Sequence, residues 1–532
     1  MSLRLQPVLP EIAVAALTLG FGSLCVAFVW QPTLASFADD SVSYLVMGQV
    51  FSPWQHASPA VAEAFAREAL YPPLFPAVLG FAGVAHDIAL AHAVPALLLA
   101  LCLPLTYALG VRWLGDKRPA LMAVLVTAVL PSLWINAKGI LSEPLYCLLL
   151  LATLCVLESD EGRRGRTASL SLLMAALALT RAAALVPLAA YGIWAFTRRG
   201  KSPGERVRAA APAAFAALAY LAWIMLRPSS TPDDYARIIA EHARGLGGAD
   251  VAAALLASVA RQAGAIFEAW IGAFLIFWVE GHPLRLILAT LLGLLALSGL
   301  LMRLREGKAD AWIMTGYGAT FLLWPFYDQM TRFLFPALPV LVLYAFVAIG
   351  AALRALGRPE LAGHALLAFL CLSLAVPAMA FIRQRIAGGP DSAITEWYRW
   401  PDAREAHERA RRHLDLSSDM EAIRRLTQPE DRVMWVAPAY IALLAGRRGI
   451  PAPPAELDAA AYREAVRRAR PDYVFMSVYH PRDTLRTTAW RSAVRALLGH
   501  GEMVHVNTHG GGTAVSSVLL KPRLSRSREG ET

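Results

Sequence analysis

Charge is scarce in this chain. Only 17% of its 532 residues are Asp, Glu, Lys or Arg, while 57% are hydrophobic; an ordinary soluble domain carries about a quarter charged residues. One soluble core is excluded, because the apolar residues fall into many separate runs. The five cysteines, Cys25, Cys102, Cys147, Cys155 and Cys371, all lie within apolar runs, so neither a disulfide framework nor a zinc-ligand spacing can be read from them. Lysine occurs only five times, and the net charge of +10 is carried mostly by arginine. With no nucleic-acid motif beside it, that excess belongs with loop topology and lipid head groups. Gly510-Gly511-Gly512 lacks the GxxxxGK[ST] pattern and following helix of a phosphate cradle, and reads as a hairpin turn. No internal repetition is visible in the helix pattern.

What remains is the pattern of a polytopic α-helical membrane protein. The first apolar run, residues 7 to 30, exceeds the core of a secretory signal and is long enough to cross a hydrocarbon layer of roughly 30 Å. Basic clusters at Arg112 to Arg118, Arg163 to Arg166, Arg198 to Arg208, Arg303 to Lys308 and Arg354 to Arg358 mark cytoplasmic loops, so each intervening segment crosses an even number of times. The expected count is about 11 to 13 transmembrane helices, with the N-terminus cytoplasmic. The stretch at residues 71 to 86 opens with Tyr71-Pro72-Pro73-Leu74-Phe75-Pro76 and reads as a juxtamembrane or re-entrant element, because prolines suit a helix start and break its interior. Thr167 to Gly200 is barely long enough for two crossings, so these are expected to be short or broken around Arg181. A long outer loop holds Asp233, Asp234 and Tyr235, with Ala265 to Glu280 expected along the interface.

The membrane part is expected over residues 1–382 and an α/β soluble domain over 383–524, with a disordered tail at 525–532. Arg432 to Val436 and Tyr473 to Val478 read as short buried strands with an amphipathic helix, Ala459 to Arg470, between them. Glu502 to Asn507 and Thr513 to Leu520 read as a hairpin, with His505 and His509 as strand and turn residues.

The candidate chemistry gathers on the outer side. Asp39 and Asp40 follow the first apolar run, and if 39 to 48 is helical then Asp40, Ser43, Tyr44 and Met47 share one face. Such a carboxylate can take a proton from an acceptor hydroxyl or amine, or the pair can ligate a hard divalent cation; a helix cap is the plain alternative. Arg332 stands beside a strongly apolar span, where a guanidinium can clamp a phosphate or snorkel to head groups. Arg181 has few routes to water and calls for a partner, Glu143 being one. Lys138, Tyr327, Asp328 and His282 also lie near expected outer helix ends.

Asp39-Asp40 with Tyr44, Tyr71-Pro72-Pro73-Leu74, Ser142-Glu143-Pro144, Arg181 in a broken pair and Thr331-Arg332-Phe333-Leu334-Phe335-Pro336, in that order along most of the chain, resemble the GT-C membrane glycosyltransferases. The nearest branch is that of bacterial lipid A aminoarabinose transferases and protein O-mannosyltransferases. Glu421 to Val436 and Leu444 to Arg447 are similar to the start of the soluble domain carried by many bacterial members. The resemblance implies inverting transfer of a single sugar from a polyprenyl-phosphate donor to a lipid, glycan or protein acceptor at the periplasmic face of the inner membrane. It implies Asp40 as general base in preference to Asp39, Arg332 and Arg181 at the donor phosphate, and Tyr44, Tyr71, Glu143 and Lys138 binding or orienting substrate. A divalent metal, if present, falls to Asp39 and Asp40. Some branches place a Lys before the proline pair and a Glu as the second acid, where this chain has Tyr71 and Asp40; that departure counts against aminoarabinose. No WWDYG-like signature occurs, which counts against transfer of a preassembled glycan. The paucity of lysine fits a GC-rich bacterial genome and hence an undecaprenyl or decaprenyl carrier. The competing expectation from the residues is a polytopic transporter or lipid-linked sugar flippase.

Overall fold

The computed structural model describes residues 9–34, 39–160, 165–198, 200–228, 251–274, 283–323, 329–389, 403–454, 457–479, 501–508 and 515–522. The expected site residues His282, Tyr327 and Asp328, the acids Asp233 and Asp234 with Tyr235, His509 and the 510–512 glycines lie outside these.

Helix α1 (Leu9–Val29) is followed by three shorter helices, α2 (Asp39–Phe51), α3 (Pro59–Glu68) and α4 (Leu74–Phe81). The eight-residue α4 is far too short to cross a bilayer, and it packs on α2. Next come α5 (Ile88–Leu114), α6 (Lys117–Ala128), α7 (Pro131–Ala137), α8 (Glu143–Leu157), α9 (Arg166–Thr180), α10 (Leu185–Thr197) and α11 (Pro203–Leu226). The helical part continues with α12 (Val251–Phe274), α13 (Pro283–Arg305), α14 (Ala309–Leu323), α15 (Met330–Leu334), α16 (Leu338–Ala355) and α17 (Glu360–Gly388). Among the described residues, five spans are long and apolar enough to cross a membrane: α1, α5, α11, most of α13, and Met330–Ala355, which runs from α15 through α16. The pair α6 and α7, bent by 52° at the break before Pro131, makes a sixth if counted as one span. Helices α8 and α9, the segment Ala182–Thr197 and the first half of α17 are apolar but shorter.

Small residues let these helices approach closely, as packing in lipid requires. A Cβ placed on Gly299 of α13 would stand 2.0 Å from the Tyr344 carbonyl oxygen of α16. At the opposite end of these helices from the candidate residues, Arg303 is tied to both oxygens of Asp310 at 2.8 Å and to Glu158 at 2.5 Å, while Tyr344 donates to Asp310 at 2.8 Å. One expectation is corrected. Ala265 to Glu280 was expected along the interface, but its described portion is the end of α12, where Ala269, Trp270, Ile271, Ala273 and Phe274 are buried in the main core. The Trp270 indole donates to the Ala289 carbonyl of α13, so its polar edge is satisfied there without water.

The C-terminal module begins with α18 (Ala403–Leu426), whose second half packs on a sheet of β1 (Arg432–Trp435), β2 (Arg448–Pro451), β3 (Tyr473–Ser477), β4 (Gly501–Thr508) and β5 (Val515–Pro522) in the order β2-β1-β3-β5-β4. Strands β2, β1 and β3 are parallel, with α19 (Ala459–Ala469) falling in sequence between β2 and β3. The hairpin strands β4 and β5 are antiparallel and add to β3 through β5. Buried Asp419 of α18 accepts from Tyr479 at 2.7 Å, Asn507 at 3.0 Å and His505 at 3.1 Å. His505 is thus a strand residue pinning the hairpin to α18.

The module does not stand apart from the membrane helices. One buried cluster runs continuously from Val42, Leu45, Val61 and Ala64 of α2 and α3 to Trp435, Tyr440, Ile441 and Phe475 of the module. We expect Gly299→Val to push α13 and α16 apart and cost about 1 to 3 kcal/mol, the usual penalty of overpacking. The check is the thermal midpoint of the purified protein; an unchanged midpoint contradicts the packing described.

Candidate active site

Five segments bring their polar residues together near helix ends. Asp39 and Asp40 open α2, where the helix dipole favours negative charge. Tyr71 lies just ahead of α4, and Glu143 is the first residue of α8 with Pro144 behind it. Arg181 occupies an extended position between α9 and the 3-10 turn Ala182–Ala184 (φ −151°, ψ 134°), so helix α9 stops where the guanidinium is needed. Arg332 lies in α15, the short helix preceding the turn Phe335–Ala337 and α16.

All of these except Asp39 join in one bonded chain. The Tyr71 hydroxyl donates to Asp40 Oδ1 at 2.5 Å, and Arg332 Nη2 lies 2.5 Å from Asp40 Oδ2. Arg332 Nε donates to Glu143 Oε1, and Arg181 Nη1 approaches the same oxygen at 2.7 Å. Arg181 also donates to the Ser142 hydroxyl at 3.0 Å, and that oxygen shares a 2.9 Å hydrogen bond with the Tyr44 hydroxyl. Glu143 is fully buried, whereas the Asp40, Arg332 and Arg181 side chains retain 23%, 15% and 16% exposure. The chain of charges therefore runs from a dry carboxylate to a wetted one. Tyr44 is buried, with its ring 5.1 Å from both Tyr71 and Phe75, and Arg181 lies 5.5 Å over the ring of Phe333. Lys138 is half-buried at the C-terminal end of α7.

Burial by itself would raise the Asp40 carboxyl, but the Arg332 guanidinium and the Tyr71 hydroxyl outweigh it and hold the group below its ordinary value of 3.8. Glu68 moves the other way. Burial raises it, the Ser43 hydroxyl bonded to its Oε2 at 2.5 Å opposes this, and the charges of Asp39 and Asp40 add to the rise.

Glu68 and Tyr440 are absent from the sequence-level set. The Tyr440 hydroxyl donates to Asp39 Oδ1 at 3.2 Å across a separation of 401 residues, and no local spacing signals such a contact. The two aspartates thus face different partners, Asp39 the module and Asp40 the arginines. That arrangement does not turn the two carboxylates towards a common ion, because Asp39 is bonded to Tyr440 and Asp40 to Tyr71 and Arg332. Among the described residues no three His, Cys, Asp or Glu side chains converge on a common point.

No protein-family model matches the sequence, and no curated protein matches it. Solved structures do match in fold. ArnT from Cupriavidus metallidurans in the apo state superposes with a TM-score of 0.55 at 12% identity, covering 96% of this chain and 98% of that one. ArnT from the same organism bound to undecaprenyl phosphate gives 0.54 at 12% identity, over 95% and 97%. The Archaeoglobus fulgidus oligosaccharyltransferase tethered with an acceptor peptide gives 0.51 at 13% identity, over 96% and 74%. The chain has the GT-C fold. Glycosyltransferases of that fold are its neighbours.

A pH effect on stability follows from the Asp40 environment. A carboxyl whose folded pKa lies below its unfolded one stabilises the fold above the unfolded value and loses that contribution as pH falls through the folded value. We expect Asp40→Asn to lower the thermal midpoint at pH 7, and the gap from wild type to shrink as pH is taken from 7 towards 3. A gap independent of pH contradicts the ion pair.

Proposed function

We propose that this protein is an inverting glycosyltransferase that moves a single sugar from a polyprenyl-phosphate donor to a lipid, glycan or protein acceptor at the periplasmic face of the inner membrane. On this reading it is a multi-pass protein with a cytoplasmic N-terminus and about 11 to 13 crossings. The observation that carries the proposal is the bonded chain Asp40–Arg332–Glu143–Arg181. It sets a partly exposed carboxylate directly beside guanidinium groups, as displacement of a phosphate leaving group requires. The fold is that of an enzyme whose structure holds undecaprenyl phosphate.

The chemistry is a single displacement. An acceptor hydroxyl or amine hydrogen-bonds to Asp40, and its oxygen or nitrogen attacks the anomeric carbon of the donor from the face opposite the phosphate. A new bond forms there as the carbon–oxygen bond to phosphate breaks. The electron pair of the broken bond leaves on polyprenyl phosphate, and the acceptor proton passes to Asp40. A carboxylate has about four lone-pair sites, so Asp40 can keep its bonds to Tyr71 and Arg332 and still accept that proton. Arg332 and Arg181 neutralise the charge growing on the phosphate, a role suited to planar guanidinium donors already fixed by Glu143. The base is Asp40 and not Asp39, because Asp39 is turned towards Tyr440. Tyr71 and Tyr44 shape the acceptor side, and Lys138 stands at the end of α7 to meet substrate.

A flippase or transporter fits less well. The ionic groups gather where α2, α8 and α15 begin and α9 ends, beside the C-terminal module, and not at mid-bundle where alternating access places a substrate. The test is release of polyprenyl phosphate from a labelled lipid-linked sugar by the full-length protein. We expect Asp40→Asn to reduce it about 10²- to 10⁴-fold, the span of general base catalysis, and Asp39→Asn to reduce it far less. An Asp40→Asn enzyme at the wild-type rate, or a wild type that only moves the intact donor across the bilayer, overturns the proposal.

A further inference from the structure

Tyr440 is placed with unusual constraint for a residue outside the helical bundle. It ends the short turn Pro438–Tyr440, which continues as the π-turn Ile441–Ala445 and stops at Gly446 with φ +65°. Wider π-type turns of this kind recur at functional sites. Behind the turn lies Gly449 of β2, where a Cβ would meet the Pro438 carbonyl oxygen at 2.0 Å, so only glycine lets the turn sit against the strand. The indole of Trp435 meets the Tyr440 ring edge-on at 5.7 Å. With its ring buried and its backbone seated, Tyr440 has its hydroxyl aimed at Asp39.

The same patch holds the α3 segment that follows α2. Arg67 Nη2 donates to the Gly449 carbonyl at 2.7 Å, and Arg448 pairs with Glu63 at 3.3 Å. Gly449 therefore joins two contacts: it seats the Tyr440 turn and receives Arg67. Around them the Val42, Leu45, Val61 and Ala64 side chains share one apolar cluster with Trp435, Tyr440 and Ile441. Asp39 itself is exposed and stands at the first position of α2, where Ser43 donates to its carbonyl at 3.2 Å. Tyr440 thus gives the module a polar contact on the residue immediately before Asp40.

We propose that Tyr440 is a positioning residue of the candidate active site, its hydroxyl reaching from the C-terminal module to Asp39 and fixing the first turn of α2 on which Asp40 stands. The catalytic consequence rests on the transferase reading; the strut itself does not. Losing this hydrogen bond to a carboxylate loosens the first residue of α2, next to Asp40 with its own bonds to Tyr71 and Arg332, and local opening becomes more frequent there. The bundle and the module become parts of one site, because an acid from the first loop is set by a hydroxyl some 400 residues later in the chain.

Hydrogen exchange on the full-length protein tests this without relying on activity. Tyr440→Phe removes one oxygen and keeps the ring packing. We expect the amides of residues 39–44 to exchange about tenfold faster, with β1 and β3 unchanged as internal controls. Asp39→Ala should do the same, and the double variant no more than either alone, because both remove one bond. In the transferase assay kcat should fall by a similar factor at unchanged KM for the lipid donor. Unchanged exchange in α2, or effects of Tyr440→Phe and Asp39→Ala that multiply, overturns the strut. Faster α2 exchange together with a fully active Asp40→Asn enzyme leaves the strut standing and sinks the transferase reading.

Discussion

The arrangement depends on a dry carboxylate. Glu143 has no exposure, and one of its oxygens faces both Arg181 and Arg332. Removing that carboxylate takes away the buried counter-charge the two guanidinium groups share, a large penalty. The two guanidinium groups come from segments some 150 residues apart, and each would repel the other without that anion between them. Asp40 then extends the alternation outward. Charge order along the chain is carboxylate, guanidinium, carboxylate, guanidinium, and of the four only Glu143 is wholly dry. The result is a set of donors pre-oriented before any substrate arrives, and preorganisation of this kind is where electrostatic catalysis draws its strength.

The broken backbones around the site share a purpose. Helices must satisfy their own backbone in lipid, so irregular chain at that depth is tolerated only where protein covers it or water reaches it. The extended residue Arg181 and the turn that follows α15 each interrupt a helical run beside the charged chain. Each break points a polar side chain inward at a level where an unbroken helix would present apolar surface. The C-terminal module closes over the first loop and contributes to the same apolar cluster, which makes it structural cover as well as a separate sheet.

Much of this was legible in the residues. Asp39-Asp40, Tyr71 before paired prolines, Glu143 before a proline and Arg332 before another each sit where a helix starts, and helix starts are readable from proline and acid placement. Arg181 stood out because a charge flanked by apolar residues demands a partner. The strand–helix–strand part of the module was readable because two short apolar runs flank an amphipathic helix. What stayed hidden was pairing at long range. Nothing near Tyr440 or Gly449 in sequence points to Asp39 or Arg67, because those contacts arise only when the module lands on α2 and α3. Ala265 to Glu280 misled because its single charged residues resemble an interfacial face, while Trp270 and Phe274 are in fact core.

The central claim is that Asp40, Arg332 and Arg181 surround the phosphate and the reacting sugar carbon of a carrier lipid. A cryo-EM structure of the full-length protein with undecaprenyl phosphate in a lipid nanodisc tests it most directly. The account predicts phosphate oxygens within hydrogen-bonding distance, about 3 Å, of the Arg332 and Arg181 guanidinium groups, with the Asp40 carboxylate open on the adjacent side. A phosphate held at the other end of the bundle, with the Asp40–Arg332–Glu143–Arg181 chain intact and untouched, contradicts it.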